Sequence, residues 1–217
     1  MNVIAVISEK GGVGKTTIAI DLAVAAVRKQ LAVAVLDIDP QATAANWLDR
    51  RTDKQPWVIA TPVSRLVPVI AKAKAEGVDI VIIDTQAQLS MDSAEAARRA
   101  DLVLIPIEPH LFSLETVAKV ADLLRYAGNP ASAYIINKAP IQGQEATEAA
   151  AFITAQGLTL SPVVLHTRAA HRHASNAGQV AAEFDEHSKA AEEAAQLAEY
   201  VFRFIKLNGR RKNNGKE

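Results

Sequence analysis

The chain has 217 residues, 49% of them apolar, which suits one α/β domain with a large core and is short for two. Its 24 basic and 24 acidic side chains cancel, so nucleic acid can be attracted only by a local patch. Cysteine is absent, which excludes disulfides, thiolate zinc sites and iron–sulfur clusters, and no apolar run nears the ~20 residues that span a bilayer.

Val3 to Ile7 is an apolar run of strand length, so early that no signal peptide is expected before it. A reducing, cytoplasmic setting is expected. Lys10 to Thr17, KGGVGKTT, follows at once, and Ile18 to Val27 then repeats apolar residues at helical spacing. Ala32 to Leu36 reads as a strand ending in Asp37-Ile38-Asp39-Pro40, with a helix from Gln41 to Arg50 and a short strand from Trp57 to Ala60. Val63 to Glu76 is helical, with distortion expected at Pro68, and Gly77 ends it. Val78 to Ile83 is a continuous apolar strand closed by Asp84, and Ser93 to Arg99 is helical. Leu102 to Ile107 is strand, Leu114 to Tyr126 helix, Ala133 to Ile136 strand and Gln144 to Gln156 helix. A seventh short strand is expected at Val163 to Leu165, then helices at Ala169 to Ala177 and Ser188 to Leu207.

Strands that are apolar throughout, alternating with helices, specify a doubly wound, mostly parallel sheet covered on both faces. One domain spanning residues 1–207 is expected, with a basic polar tail at residues 208–217.

The stretch KGGVGKTT lies between strand and helix, the context of a phosphate loop. Gly11, Gly12 and Gly14 let the backbone curl around an anion, so that amides from Gly11 through Val13 to Thr17 point at phosphates. Lys15 would reach the β- and γ-phosphates, and the Thr16 hydroxyl would ligate Mg²⁺. Glu9 stands where the strict motif has glycine, and Lys10 heads the variant K-G-G-x-G-K-T. Asp84 closes a buried strand beside the loop, where it either holds Mg²⁺ through water or simply caps a helix. Asp37 and Asp39 stand two residues apart at the strand's end, and one is expected to face the nucleotide while the other caps or packs. Asp39, before Pro40, is the candidate to orient an attacking water.

These segments, with VLDIDPQATAANW, VDIVIIDT and LVLIPIEPHLFSLETVAKV, resemble the ParA/MinD family of deviant Walker A ATPases, above all its small ParA-type partition proteins. The resemblance runs in order from Val3 to about Ile205. It implies a P-loop fold, ATP/ADP and Mg²⁺ as ligands, and slow, partner-stimulated hydrolysis. In that light Lys10 resembles the signature lysine that crosses into the partner subunit's site. Lys15, Thr16, Asp39 and Asp84 match the phosphate, Mg²⁺, switch I and switch II positions. Asn137, in IINK, matches a position that contacts the adenine edge, though a plain strand-ending asparagine reads as well. Two departures stand out. Gln86 and Ala87 replace the usual prolines after Asp84-Thr85, which puts Gln86 or Gln88 within reach of the γ-phosphate. No helix-turn-helix extension is expected before the first strand, as in short partition ATPases that leave operator recognition to a partner.

The resemblance further implies a homodimer when ATP is bound, non-specific DNA binding on the nucleoid and a ParB-like adaptor. Arg168, His171, Arg172 and His173 form one basic cluster. Arg203, Lys206, Arg210 and Arg211 give the C-terminal stretch a positive excess suited to phosphate contacts, although a solvated helix end reads equally well from the residues alone. The apolar residues from Leu197 through Val201, Phe204 and Ile205 fit docking on the core better than a membrane surface. A switch for cargo positioning or DNA transfer is an alternative, and a P-loop synthetase or kinase is a rival of another class.

Overall fold

A computed structural model of the chain describes residues 1–110 and 115–213, with side chains described as far as residue 206. Six strands, β1 (Asn2–Val6), β2 (Val33–Asp37), β3 (Trp57–Ala60), β4 (Ile80–Asp84), β5 (Leu102–Ile107) and β6 (Ser132–Ile136), form one parallel sheet. Their order is β3-β2-β4-β1-β5-β6. The expected doubly wound sheet is what the chain forms.

Period-two alternation divides each strand between two cores. Val3, Ala5 and Ile7 face one side, and Ile4 and Val6 the other. Helices α1 (Lys15–Arg28) and α2 (Thr43–Asp49) cover the second side through Ile18, Leu22 and Trp47. They carry the chain outward from β1 to β2 and on to β3. The return to β4, β5 and β6 runs the opposite way along the sheet. Its helices α3 (Leu66–Ala75), α4 (Met91–Arg99) and α5 (Val117–Tyr126) accordingly lie on the first side. A change of face with each change of direction keeps every crossover of one hand. Helix α6 (Glu145–Ala155) continues on that first side. After it α7 (Ala169–Asn176), α8 (Ala181–Phe184) and α9 (Lys189–Asn213) return to the second side, where Leu197 and Val201 of α9 pack.

Three boundaries differ from expectation. The seventh strand does not form. Residues 159–167 instead run along β6 with isolated bridges from Leu160 to Tyr134 and from His166 to Ala139. Pro162, between those bridges, lacks the N–H that a continuous ladder needs. The helix expected from Val63 begins as a 3₁₀ turn, Val63–Arg65, and Pro68 falls in the first turn of α3. An N–H there has no intrahelical acceptor, so Pro68 starts the helix without distorting it. The last helix, expected to stop at Leu207, keeps helical backbone to Asn213. Residues 214–217 of the expected tail, and the expected helix start at Leu114, lie outside the described residues.

Candidate nucleotide site

The loop between β1 and α1 sits at the carboxyl end of the sheet, beside the ends of β2 and β4. Gly12 and Gly14 hold φ of 74° and 92°, a left-handed backbone that favours glycine. Gly14 caps α1 with backbone alone, so the helix start presents its amides without a competing side chain. Lys15 follows as the first helical residue and is buried. Its Nζ donates to Ser8 Oγ at 3.1 Å and points toward the Lys10 carbonyl at 3.5 Å. Ser8 Oγ donates in turn to that carbonyl at 2.8 Å. Burial holds the Lys15 pKa below its ordinary value, against the opposing pull of Asp84 and Asp39. Ser8 is a site residue that the motif does not announce; its only signal is its place where β1 leaves the sheet.

Asp84 ends β4 with none of its surface exposed, and neither carboxyl oxygen has a well-formed hydrogen bond. Burial raises its pKa to about 7, with Asp37 and Asp39 adding to the rise and the adjacent Thr16 hydroxyl and Lys15 opposing it. Buried carboxylate oxygens are normally satisfied, so an orphaned pair beside a threonine hydroxyl fits a hard cation with its waters. Among the described residues no group of three or more His, Asp or Glu side chains could hold a metal. A cation at this site would therefore be held by Asp84 and Thr16 together with phosphate oxygens.

The two aspartates divide their roles because β2 ends at Asp37 and Asp39 lies in the loop beyond it; a continued strand would have pointed both to one face. Asp37 is buried, and its Oδ2 accepts from the Ala44 and Ala45 amides at 2.9 and 3.2 Å, capping α2. Asp39 lies in the half-buried loop beyond, where Oδ1 accepts from the Gln41 amide at 2.9 Å. Asp37 and Asp84 are register partners across β2 and β4, so both acidic strand ends meet at one point of the sheet. After Asp84, Gln86 Nε2 donates to Ser90 Oγ at 3.4 Å, and the Gln88 amide donates to the Ser8 carbonyl at 3.3 Å. Gln86 thus braces the N-cap of α4, and Gln88 is exposed.

Asn137, just past β6, is buried against the loop. Its amide donates to the Val13 carbonyl at 2.7 Å, and its Oδ1 accepts from the Lys138 amide at 2.9 Å. Lys138 Nζ donates to the Gly12 carbonyl and pairs with Glu108 at 3.4 Å. Two consecutive residues therefore fasten the phosphate loop from behind. A cavity of about 320 Å³ opens beside them, lined by Gly14, Thr17, Asn137, Thr167, Arg168 and Arg172 among others. It adjoins the phosphate loop and has room for a nucleoside.

The basic residues separate. The Arg168 guanidinium is held by Glu193 of α9 at 2.7 Å, and Glu193 also accepts from the His166 amide and contacts its ring, both at 2.9 Å. Arg172 is exposed. Arg203 is exposed and paired with Glu199 one turn earlier, and Lys206 is exposed. The side chains of Arg210 and Arg211 lie outside the described residues. Lys10 is half-buried at the head of the loop.

A family model described as the CobQ/CobB/MinD/ParA nucleotide binding domain matches residues 4–213. The chain belongs to this family. Like other members, this ParA/MinD-family chain has relatives with different tasks. It is 28% identical over 179 residues to the maintenance of carboxysome distribution protein A of Gloeobacter kilaueensis, covering 81% of this chain and 82% of that one. It is 31% identical over 126 residues to protein ParA of Rhizobium radiobacter, covering 57% of this chain and 56% of that one. In fold it matches the cell division ATPase MinD of Pyrococcus furiosus with a TM-score of 0.74 at 23% identity, covering 94% and 99% of the two chains. A cobyrinic acid a,c-diamide synthase from Mycobacterium smegmatis, with bound ADP and magnesium, matches at 0.73 and 17% identity over 95% and 96%. Fold alone thus spans a cell division ATPase and a biosynthetic synthase.

Proposed function

We propose that the chain is an ATP-dependent DNA partition switch, a slow Mg²⁺-dependent ATPase that dimerises and holds DNA when ATP is bound. Hydrolysis stimulated by a ParB-like adaptor then releases it. The observation that carries the reading is the placement of buried Lys15 and buried, orphaned Asp84 around one loop of backbone amides. In this reading Lys15 and the amides from Gly11 to Thr17 offset phosphate charge, and Thr16 and Asp84 hold the cation. Bound there, Mg²⁺ would supply charge neutralisation to the phosphates. Asp39 orients the attacking water from a loop with no ladder bonds to break. Lys10, at the mouth of the loop, reaches the other subunit's nucleotide. The adenosine portion fills the cavity beside Asn137. The exposed Arg172, Arg203 and Lys206, with Arg210 and Arg211, meet DNA phosphates without reading sequence. The working place of such a switch is the cytoplasm, on the nucleoid.

A second reading keeps the switch and changes the cargo. The carboxysome-distribution relative, aligned over four fifths of both chains, favours a protein assembly positioned on DNA. Either switch is separated from a synthetase by its stimulation. ATP turnover should rise with DNA plus the adaptor and should ignore candidate carboxylate substrates. Sedimentation with ATP and Mg²⁺ completes the test. Asp39→Ala should remain an ATP-bound dimer on DNA, and Lys10→Ala should lose the dimer while still binding ATP. A monomeric Asp39→Ala protein, or a dimeric Lys10→Ala protein, overturns the cross-subunit switch.

A further inference from the structure

The two edges of the sheet are finished differently. At one edge β6 is buried, and residues 159–167 pair along it through Thr159, Ser161 and Leu165. At the other edge every residue of β3 is at least partly exposed, with Trp57 at 45% and Ile59 at 42%. The five other strands are essentially buried. The Thr61 amide donates inward to Asp37, and the two-residue period of a strand then turns the backbone groups of Val58 and Ala60 outward. Among the described residues nothing on the chain pairs with them. An uncovered edge of this kind is a template for another strand.

Beside that edge a groove of about 490 Å³ runs between β3 and α3, lined chiefly by apolar groups that include Trp57, Ile59 and Val69. Its rim is cationic. Among the described residues Lys54 and Arg65 are exposed and make no ion pair, whereas Lys72 is balanced by Glu76 at 3.7 Å. A second copy of β3 laid against the first would bring these cations together, which disfavours self-pairing. A DNA backbone offers acceptors alone, whereas this edge displays carbonyl acceptors as well as amide donors. An extended peptide matches both.

We propose that the β3 edge and its groove dock an acidic, extended segment of a partner protein, added to the sheet as a seventh strand. Backbone pairing to Val58 and Ala60 supplies the register, the apolar groove takes alternate side chains, and Lys54 and Arg65 select acidic neighbours. The site lies at the opposite sheet edge from β6 and Asn137. It requires neither ATP nor dimerisation, so its test stands apart from the switch reading.

The probe is a short synthetic peptide alternating glutamate with valine, compared with one carrying lysine in place of each glutamate. The acidic peptide should shift the backbone amides of residues 57–60 and change the emission of Trp57, the exposed one of the chain's two tryptophans. The basic peptide should bind about tenfold more weakly, the size expected when two surface charge pairs turn from attractive to repulsive. Ala60→Pro removes an outward N–H without touching the internal ladder, and it should abolish binding. Lys54→Glu combined with Arg65→Glu should reverse the preference between the peptides. Equal binding of both peptides, or no shift at residues 57–60 with either, overturns the proposal. So does duplex DNA shifting the same amides, or a concentration-dependent shift without peptide, which would make the occupant a second copy.

Discussion

The Asn137 side-chain amide donates to the Val13 carbonyl at 2.7 Å, and its nitrogen occupies the space that a Cβ on Gly14 would need. The glycine at the start of α1 and the asparagine beyond β6 are therefore one fitted pair. Asn137→Ala should loosen the loop and weaken ATP binding roughly tenfold, the worth of about one buried hydrogen bond. Gly14→Ala should weaken it further, because it adds a left-handed alanine to the collision. Titration with a fluorescent ATP analogue checks both, and unchanged affinity in Asn137→Ala would make the brace irrelevant to the site.

Lys15→Ala should abolish ATP binding while leaving the fold in place. The ammonium is a charge-assisted donor to phosphate, and its resting partner Ser8 is satisfied by the Lys10 carbonyl without it. Calorimetry with ATP and Mg²⁺ decides this; wild-type affinity would remove the phosphate loop from the site.

Stability should depend on pH through Asp84. Burial raises its carboxyl from an ordinary 3.8 to about 7. Across that window the folded chain keeps a proton that the unfolded chain has lost. Its contribution to stability is full below about pH 4, declines as pH rises, and is level above about 7. Asp84→Asn should therefore gain on the wild type as pH rises through the window. Urea midpoints at several pH values test this, and a constant difference would mean an ionised Asp84 in the folded chain.

Arg168 and Arg172 should behave differently although four residues separate them. Arg172→Ala should lower DNA affinity uniformly across sequences and flatten its salt dependence. Arg168→Ala should instead reduce stability by roughly 2 kcal/mol, because Glu193 loses a charged partner in a nearly buried place. Equal losses of DNA binding in both variants would return Arg168 to the interface.

A clasp between the end of α2 and α8 is equally open to test. Arg51, almost fully buried, makes a two-pronged pair with Glu183 at 2.6 and 2.7 Å, donates to the Gly178 carbonyl at 3.0 Å and lies 4.8 Å from the Trp47 ring. Arg51→Met should destabilise the chain by roughly 3 kcal/mol, since it strands a charge that burial would otherwise have to pair. A change within about 0.5 kcal/mol in urea unfolding would show that Glu183 is adequately solvated.

The loop, the strand-end aspartates and the alternation of strands with helices could be read from residues because each is local. Glycines, a lysine and a threonine at fixed offsets need no distant partner to be intelligible. The Arg51–Glu183 clasp and the Arg168–Glu193 pair left no such trace, since neither has a period and each joins separate elements. Exposure of β3 was equally hidden. Trp57 to Ala60 is as apolar as a central strand, and only the order of strands puts it at an edge. Val163 to Leu165 looked like a strand for the same reason, until Pro162 interrupted its pairing.

The strand order bears on how the chain is made. Of the six strands β1 is synthesised first, yet it lies between β4 and β5, with Asn2 beside Ile80 and Ile4 beside Leu102. Its ladder groups stay unpartnered on one side until Asp84 has left the ribosome, and on the other until β5 has followed. The phosphate loop, anchored on β1, inherits that delay. A nascent chain halted before β5 has every residue of the glycine loop and only one side of the platform that holds it. Nucleotide can therefore favour folding only after the middle of the sequence has emerged, and parallel pairing over such distances closes slowly.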